Sequence, residues 1–262
     1  MKKTLFKSVC FALLWCGITF QATAQGIVVN KKDGSKVYYK ASEVQSVGVF
    51  GYGEGPDDMP DEYDWVDLGL PSGTLWATCN VGAENPEDYG DYFAWGETIG
   101  YNGGKTTFNW VTYKYARGTS DTLTKYCTDS SKGTVDGKTE LDPEDDAATA
   151  NWGSNWQIPS YEQCEELLDE SYTYSTWTTQ NGVDGRLITS KINMKTIFLP
   201  AAGSRKDASL NNVGAGGGCW SRSLTTGNSL SGRYLNFGSS YVDTGYSPRY
   251  YGRSVRPVRV QN

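Results

Sequence analysis

Short alternating strands, two capped helix starts and one long polar stretch without periodicity predict a fold of the α+β class. The clearest strand is Tyr234-Leu235-Asn236-Phe237, where apolar and polar side chains alternate, so one face is buried and the other wet. The clearest helix start is Ser160-Tyr161-Glu162-Gln163, a capping box placed just after Pro159. Residues 99–140 are rich in Gly, Thr, Lys and Tyr. They read as a loop-dominated insertion, and long loops of this kind tend to be functional or mobile.

Taken in order, residues 1–24 read as a secretory leader. Lys2, Lys3 and Lys7 make a basic start, Val9–Phe20 is the apolar run, and Ala22-Thr23-Ala24 is a small-residue cleavage site. The run is too short for a comfortable transmembrane helix. Cys16 raises a lipid anchor, but Trp15 before it is a poor match to lipoprotein processing, so simple secretion is the expectation. Residues 25–50 read as a small β appendage. Ile27-Val28-Val29 and Lys36-Val37-Tyr38-Tyr39 flank Asp33-Gly34, which is a hairpin pattern. Ser42–Ser46 suits one helical turn before Val47-Gly48-Val49-Phe50. Residues 51–63, with Gly, Pro and Asp, read as a linker.

The main domain spans residues 64–262. Trp65–Ala77 reads as strand, Pro-Ser-Gly turn and strand. Asp91–Glu97 reads as a short aromatic strand. Asp142-Pro143-Glu144-Asp145 places an N-cap, a proline at the first helical position and acids in the first turn, with Ala147, Ala148 and Ala150 continuing the helix. In the second helix Tyr161, Cys164, Leu167 and Leu168 share a face, which makes Cys164 a packed residue. Ile197–Gly203 reads as a buried strand ending in a turn, and Asn211–Gly218 as a Gly-rich loop leading to Cys219-Trp220. Tyr250–Arg259 closes the domain, with Pro257 marking an edge strand or a strand end.

Composition excludes several function classes. The 262 residues carry 24 Lys and Arg against 30 Asp and Glu, a net charge of −6, and losing the leader's three lysines deepens it to −9. An acidic chain without a basic run argues against nucleic acid and anionic membranes as partners. There is no histidine. That removes Ser-His-Asp and Cys-His catalysis, the usual catalytic zinc sites and a histidine pH switch. Cys79, Cys127, Cys164 and Cys219 match no metal motif. They allow three disulfide pairings in an exported protein, and buried thiols with at most one bridge are an equally good reading.

A set of motifs, in this order, carries a resemblance. They are Leu70-Pro71-Ser72-Gly73-Thr74-Leu75-Trp76-Ala77-Thr78-Cys79-Asn80-Val81-Gly82-Ala83, Tyr92-Phe93-Ala94-Trp95-Gly96-Glu97, and Asp145-Asp146-Ala147-Ala148 leading to Trp152-Gly153 and Trp156-Gln157-Ile158-Pro159-Ser160. Phe198-Leu199-Pro200-Ala201-Ala202-Gly203, Trp220-Ser221 and Ser254-Val255-Arg256-Pro257-Val258 complete it. The chain resembles the Fibrobacter succinogenes major paralogous domain family over about residues 64–260. The hairpin before it also resembles a segment that often precedes such domains. The resemblance implies a C-type lectin-like fold: an antiparallel sheet core, two short helices and long ligand-presenting loops. It also implies an exported protein, secreted or on the outer cell surface, with the periplasm as a further location. It does not imply an activity.

The expected function is a non-catalytic binding module for a glycan or a protein surface, held by the C-terminal loops. Residues 226–253 mix Tyr, Asn, Asp and Arg with Gly and Ser, the composition of binding loops. The candidate ligand contacts are Trp220, Arg222, Tyr241, Asp243, Tyr246, Arg249 and Tyr250, although Tyr250 also matches a scaffold position of the resemblance, as do Ser254, Arg256 and Pro257. The kinship of the fold with retroelement-diversified proteins suits this mixture of residues as well. The alternatives are a structural subunit of a surface fibre or adhesin and, by the same kinship, a sulfatase-modifying type of enzyme. That enzyme chemistry uses a close cysteine pair, and Cys219 stands alone. No cofactor is expected. The usual calcium-loop signature is absent, Glu84-Asn85-Pro86 is not an equivalent order, and Asp145, Asp146 and Asp243 are the remaining oxygen donors.

Overall fold

Backbone hydrogen-bond demand and turn chemistry account for most of the strand pairs. The computed structural model describes residues 63–259 and, as backbone strands, Cys10–Phe11, Thr19–Thr23, Gly26–Asn30 and Lys36–Lys40. Residues 1–59 and 60–262 form two units. In the first, β1 (Cys10–Phe11), β2 (Thr19–Thr23), β3 (Gly26–Asn30) and β4 (Lys36–Lys40) make one antiparallel sheet in that order. The expected hairpin is β3 against β4, closing with Asn30 opposite Lys36. Its Asp33-Gly34 turn, the Ser42–Phe50 segment, nearly all of the linker and most of the leader, Cys16 included, lie outside the described residues.

The second unit is built mainly from antiparallel sheets with two short α-helices. β5 (Trp65–Asp67) and β6 (Leu75–Ala77) pair across the Pro-Ser-Gly turn, as expected. Asp91–Glu97 differs from its expected strand. It is buried, yet it makes only the single bridge Phe93–Arg253. Indole bonds fix it instead: Trp95 Nε1 donates to Ser221 O, and Trp220 Nε1 donates to Phe93 O, both at 2.8 Å.

The first helix also starts later than Asp142 predicts. Asp142 is drawn to Lys125 and Lys138, both at 2.5 Å, and caps nothing. Pro143–Asp145 forms one 3-10 turn, and α1 (Ala147–Trp152) begins after Asp146, whose Oδ1 accepts from Ala148 N and Thr149 N. β7 (Trp156–Gln157) follows. α2 (Tyr161–Leu168) has the complete capping box, and Cys164 and Leu167 are buried on it as expected.

An element absent from the expected set is the hairpin of β8 (Thr173–Gln180) and β9 (Val183–Ser190). Asn181 and Gly182, with φ of 48° and 85°, supply the two left-handed residues that a two-residue hairpin turn needs. β9 also pairs with β10 (Thr196–Pro200), the buried strand expected at Ile197. β11 (Ser204–Lys206) and β12 (Ser209–Asn211) form a small hairpin. The Gly-rich loop is shorter than predicted, because β13 (Gly216–Thr225) already starts inside it.

β13, β14 (Asn228–Gly238) and β15 (Val242–Pro248) form the longest sheet. Along β14 the alternation holds: Leu235 and Phe237 enter one apolar cluster with Leu68, Trp76, Leu167 and Ile188. Tyr234 packs on the other cluster, with Trp95, Tyr126, Trp156 and Trp220. The closing segment is only in part a strand. Gly252, Arg253 and Ser254 bridge in turn to Arg205, Phe93 and Cys219, so no single ladder forms, and β16 (Val258–Arg259) alone joins β6 and β7. Pro257 sits just before β16, consistent with a strand end.

Residues 99–140 carry little regular structure but are anchored from within. Tyr113, Leu123, Tyr126 and Cys127 are buried in the core. Tyr126 holds a left-handed φ of 56°, and Asp136 accepts from Tyr126 N and Cys127 N to keep it there. Arg249, with 0% of its surface exposed, grips the same segment. It donates to Tyr113 Oη at 2.8 Å and to the carbonyls of Tyr126, Ser229 and Lys125 at 2.9 Å. Arg249→Met strands those buried acceptors. It is expected to cost about 3–5 kcal/mol in urea unfolding and to accelerate amide exchange through residues 113–127. A loss below about 1 kcal/mol would show that this grip is dispensable.

Candidate functional site

A cleft of about 300 Å³ opens between the β11–β12 hairpin and the β13–β14–β15 sheet. Ser204, Asn212, Gly216, Tyr234, Asn236, Tyr241 and Arg253 are among its lining. No acid lines it, although the chain as a whole is acidic.

Glycines shape the walls. A Cβ at Gly218 would stand 2.7 Å from the Tyr234 ring, and one at Gly238 would stand 2.7 Å from the Tyr241 ring. Both rings therefore lie across bare backbone, an approach that other residues forbid. The turn that carries Tyr241 is fixed from β9. Arg186 donates through Nε to Gly238 O and through Nη2 to Tyr241 O, both at 3.0 Å. Tyr241 keeps 46% of its surface exposed. Beside it Asn236 Nδ2 donates to Asp243 Oδ1 at 3.0 Å.

Arg253 forms the deep wall, only 9% exposed. Its guanidinium carbon lies 3.7 Å from the centroid of the Tyr234 ring and 5.5 Å from that of Trp220. Burial opposes its charge and lowers its pKa, while burial raises that of Tyr234, an effect that Arg253 partly offsets. Arginine nonetheless stays protonated at neutral pH.

The structure divides the candidate residues. Tyr241 lines the cleft, and Asp243 borders it through Asn236. Tyr246 is 64% exposed but pairs in register with Arg233, away from the lining. Arg233 belongs to a second cleft of about 390 Å³ with Glu140, Tyr161 and Glu162. Arg222 lies in a third, tied to Glu140 at 2.9 Å and Gln157 at 2.5 Å.

Two expectations need correction. Trp220, 1% exposed, and Arg249 are buried parts of the frame and cannot reach a ligand. Tyr250 is half-buried against Trp110 and Tyr251, with centroids 5.1 and 5.0 Å away. Arg253, Tyr234 and Asn212, which were not among the expected residues, line the cleft with Tyr241. A signal for Arg253 exists: residues 244–262 hold four arginines and no acid, a basic segment in an acidic chain.

Of the expected oxygen donors Asp145, Asp146 and Asp243, Asp145 sits in a cluster of acids that lysines occupy. Asp142, Glu144 and Asp145 bring carboxylate oxygens within 4.8 Å of one another. Lys125 Nζ sits among them, at 2.5, 3.3 and 2.6 Å, and Lys114 adds a bond to Asp145 at 2.9 Å. Burial alone would raise the Asp145 pKa; the bonds from Lys125, Tyr115, Tyr126 and Lys114 outweigh it and hold the carboxyl well below its usual range. Asp146 is the α1 cap, with Oδ2 on Ile158 N.

Comparison with family models, with curated proteins and with solved structures finds no match to this chain. Among the described residues no helix is long and apolar enough to cross a membrane.

Cys79, Cys127, Cys164 and Cys219 are thiols, with Cys79 half-exposed and the other three buried. Burial raises the Cys164 pKa, and it pushes Cys219 up to about 11 despite nearby Arg256 and Arg253. At pH 8 both are therefore protonated and unreactive. Iodoacetamide at that pH is expected to label Cys79 in the native protein and the buried three only after denaturation. Native labelling of Cys219 as fast as that of Cys79 would contradict this burial.

Proposed function

We propose that the chain is an exported, non-catalytic binding protein of the Fibrobacter succinogenes major paralogous domain type, with a C-type lectin-like second unit. Its cleft between β11–β12 and β13–β15 takes a glycan. One observation carries the reading: the exposed ring of Tyr241 lies across Gly238, its backbone carbonyl tied to Arg186, beside amides and a guanidinium in one cleft. An aromatic face suits the apolar face of a sugar ring, and Asn236, Asn212 and Ser204 offer donors and acceptors for hydroxyls. The walls are strand-borne or pinned by side-chain bonds, so little ordering entropy opposes binding. Antiparallel sheets and two short helices among the described residues support the fold that the resemblance implies.

A glycan array probed with the full chain tests this. Binding is expected to fall about tenfold, ~1.4 kcal/mol, in Tyr241→Ala and to persist in Tyr246→Ala, both exposed substitutions that leave the fold intact by circular dichroism. Binding that survives Tyr241→Ala and fails in Tyr246→Ala would move the site to the opposite part of the sheet. A well-folded chain that binds no glycan would defeat the proposal.

A further inference from the structure

The three most deeply buried arginines of the C-terminal segment are not equivalent. Arg249 spends its guanidinium on four acceptors. Arg256, fully buried, does the same with Asn80 Oδ1 and the carbonyls of Ala77, Thr78 and Phe198, at 2.6–3.1 Å. Both are structural ties. Arg253 donates from Nη2 to Ser247 Oγ at 3.0 Å and hydrogen-bonds the Tyr234 side chain, while its buried Nε has no partner. Among the described residues no carboxylate pairs with it, and none lines the cleft that it faces.

A buried charge with unmet donors is costly unless something completes it. The Tyr234 and Trp220 ring centroids lie 3.7 and 5.5 Å from the guanidinium carbon, but rings are no substitute for oxygen acceptors. The planar fork of an arginine matches a carboxylate in two parallel bonds. A neutral hydroxyl supplies an acceptor, as neutral oxygens do for Arg249 and Arg256, but a carboxylate adds the opposing charge and the second parallel bond.

We infer that the cleft is specific for a carboxylate-bearing saccharide, whose acid group pairs with Arg253 while its ring lies against Tyr241. The inference rests on the glycan-binding reading above and adds the charge of the ligand. A volume of about 300 Å³ is at the small end of ligand pockets, which begin at about 300 Å³, so the site takes one acidic ring. Asn236 and Asn212 flank the position of its hydroxyls.

The test uses matched ligands on the full chain: oligosaccharides ending in glucuronate or galacturonate, and the same oligosaccharides with the carboxylate reduced to an alcohol. Calorimetry is expected to show a preference for the acids of about tenfold or more, shrinking as salt is added. Arg253→Lys keeps a charge but loses the fork and is expected to lose most of that preference. The matched pair on the unaltered chain decides the matter even if Arg253→Lys fails to fold. Equal binding of acid and alcohol forms overturns the inference and leaves glycan binding standing. A folded Arg253→Lys chain with its preference intact overturns the role of Arg253. No binding of either form overturns the inference, and the glycan array then decides the glycan-binding reading separately. Binding instead of a peptide with a free C-terminus, and not of its amidated form, keeps the carboxylate pocket and overturns the saccharide.

Discussion

Arg249 is a full positive charge sealed inside the protein and held only by neutral acceptors, and the rest of the second unit leans on it. Its four bonds join the carbonyls of Lys125 and Tyr126, the hydroxyl of Tyr113 and the carbonyl of Ser229. The long 99–140 segment is thereby fastened to the terminal strands. The Trp95, Tyr113 and Tyr126 rings stand 5.0–5.9 Å from its guanidinium carbon, which adds cation–π attraction within a desolvated site. With that segment fixed, Asp145 receives Tyr126 Oη and Lys125 Nζ, and Asp146 can cap α1. Because the Asp145 pKa is lowered in the folded state, its contribution is complete above the unfolded value of about 3.9. It is lost as pH falls below that value.

The fold was legible where the signal is local. The capping box at Ser160 and the alternation at Tyr234–Phe237 each depend on residues a few positions apart, and both stand as read. The reading failed where distant partners decide. Asp142 has the chemistry of a cap, but Lys125 and Lys138 claim its carboxylate. Asp91–Glu97 has the composition of a strand, but its Trp95 indole bonds to β13, the Trp220 indole of β13 bonds back to Phe93 O, and no ladder forms. The β8–β9 hairpin was within reach: Asn181-Gly182 announces it, while the run of Thr and Ser in β8 hides the apolar alternation.

The site was legible in its composition more than in its members. Tyr241 was readable as an exposed aromatic in a Gly- and Ser-rich turn. Arg249 and Arg253, four residues apart, look alike in sequence. One is satisfied by backbone carbonyls and the other is not, and only tertiary placement separates them. Long-range carbonyl partners leave no trace in local sequence. The same limit hid Trp220, whose burial follows from Phe93, more than a hundred residues away.

The central claim is that two buried arginines hold the frame and Arg253 is left for a ligand. Arginine side-chain NMR tests it most directly, by following the guanidinium 15N–1H signals of the full chain during titration with a glucuronate-terminated oligosaccharide. The Arg253 signals are expected to shift with saturation while those of Arg249 and Arg256 stay in place. Arg253 signals that stay fixed as the ligand binds, or that move no more than those of Arg249 and Arg256, would contradict it.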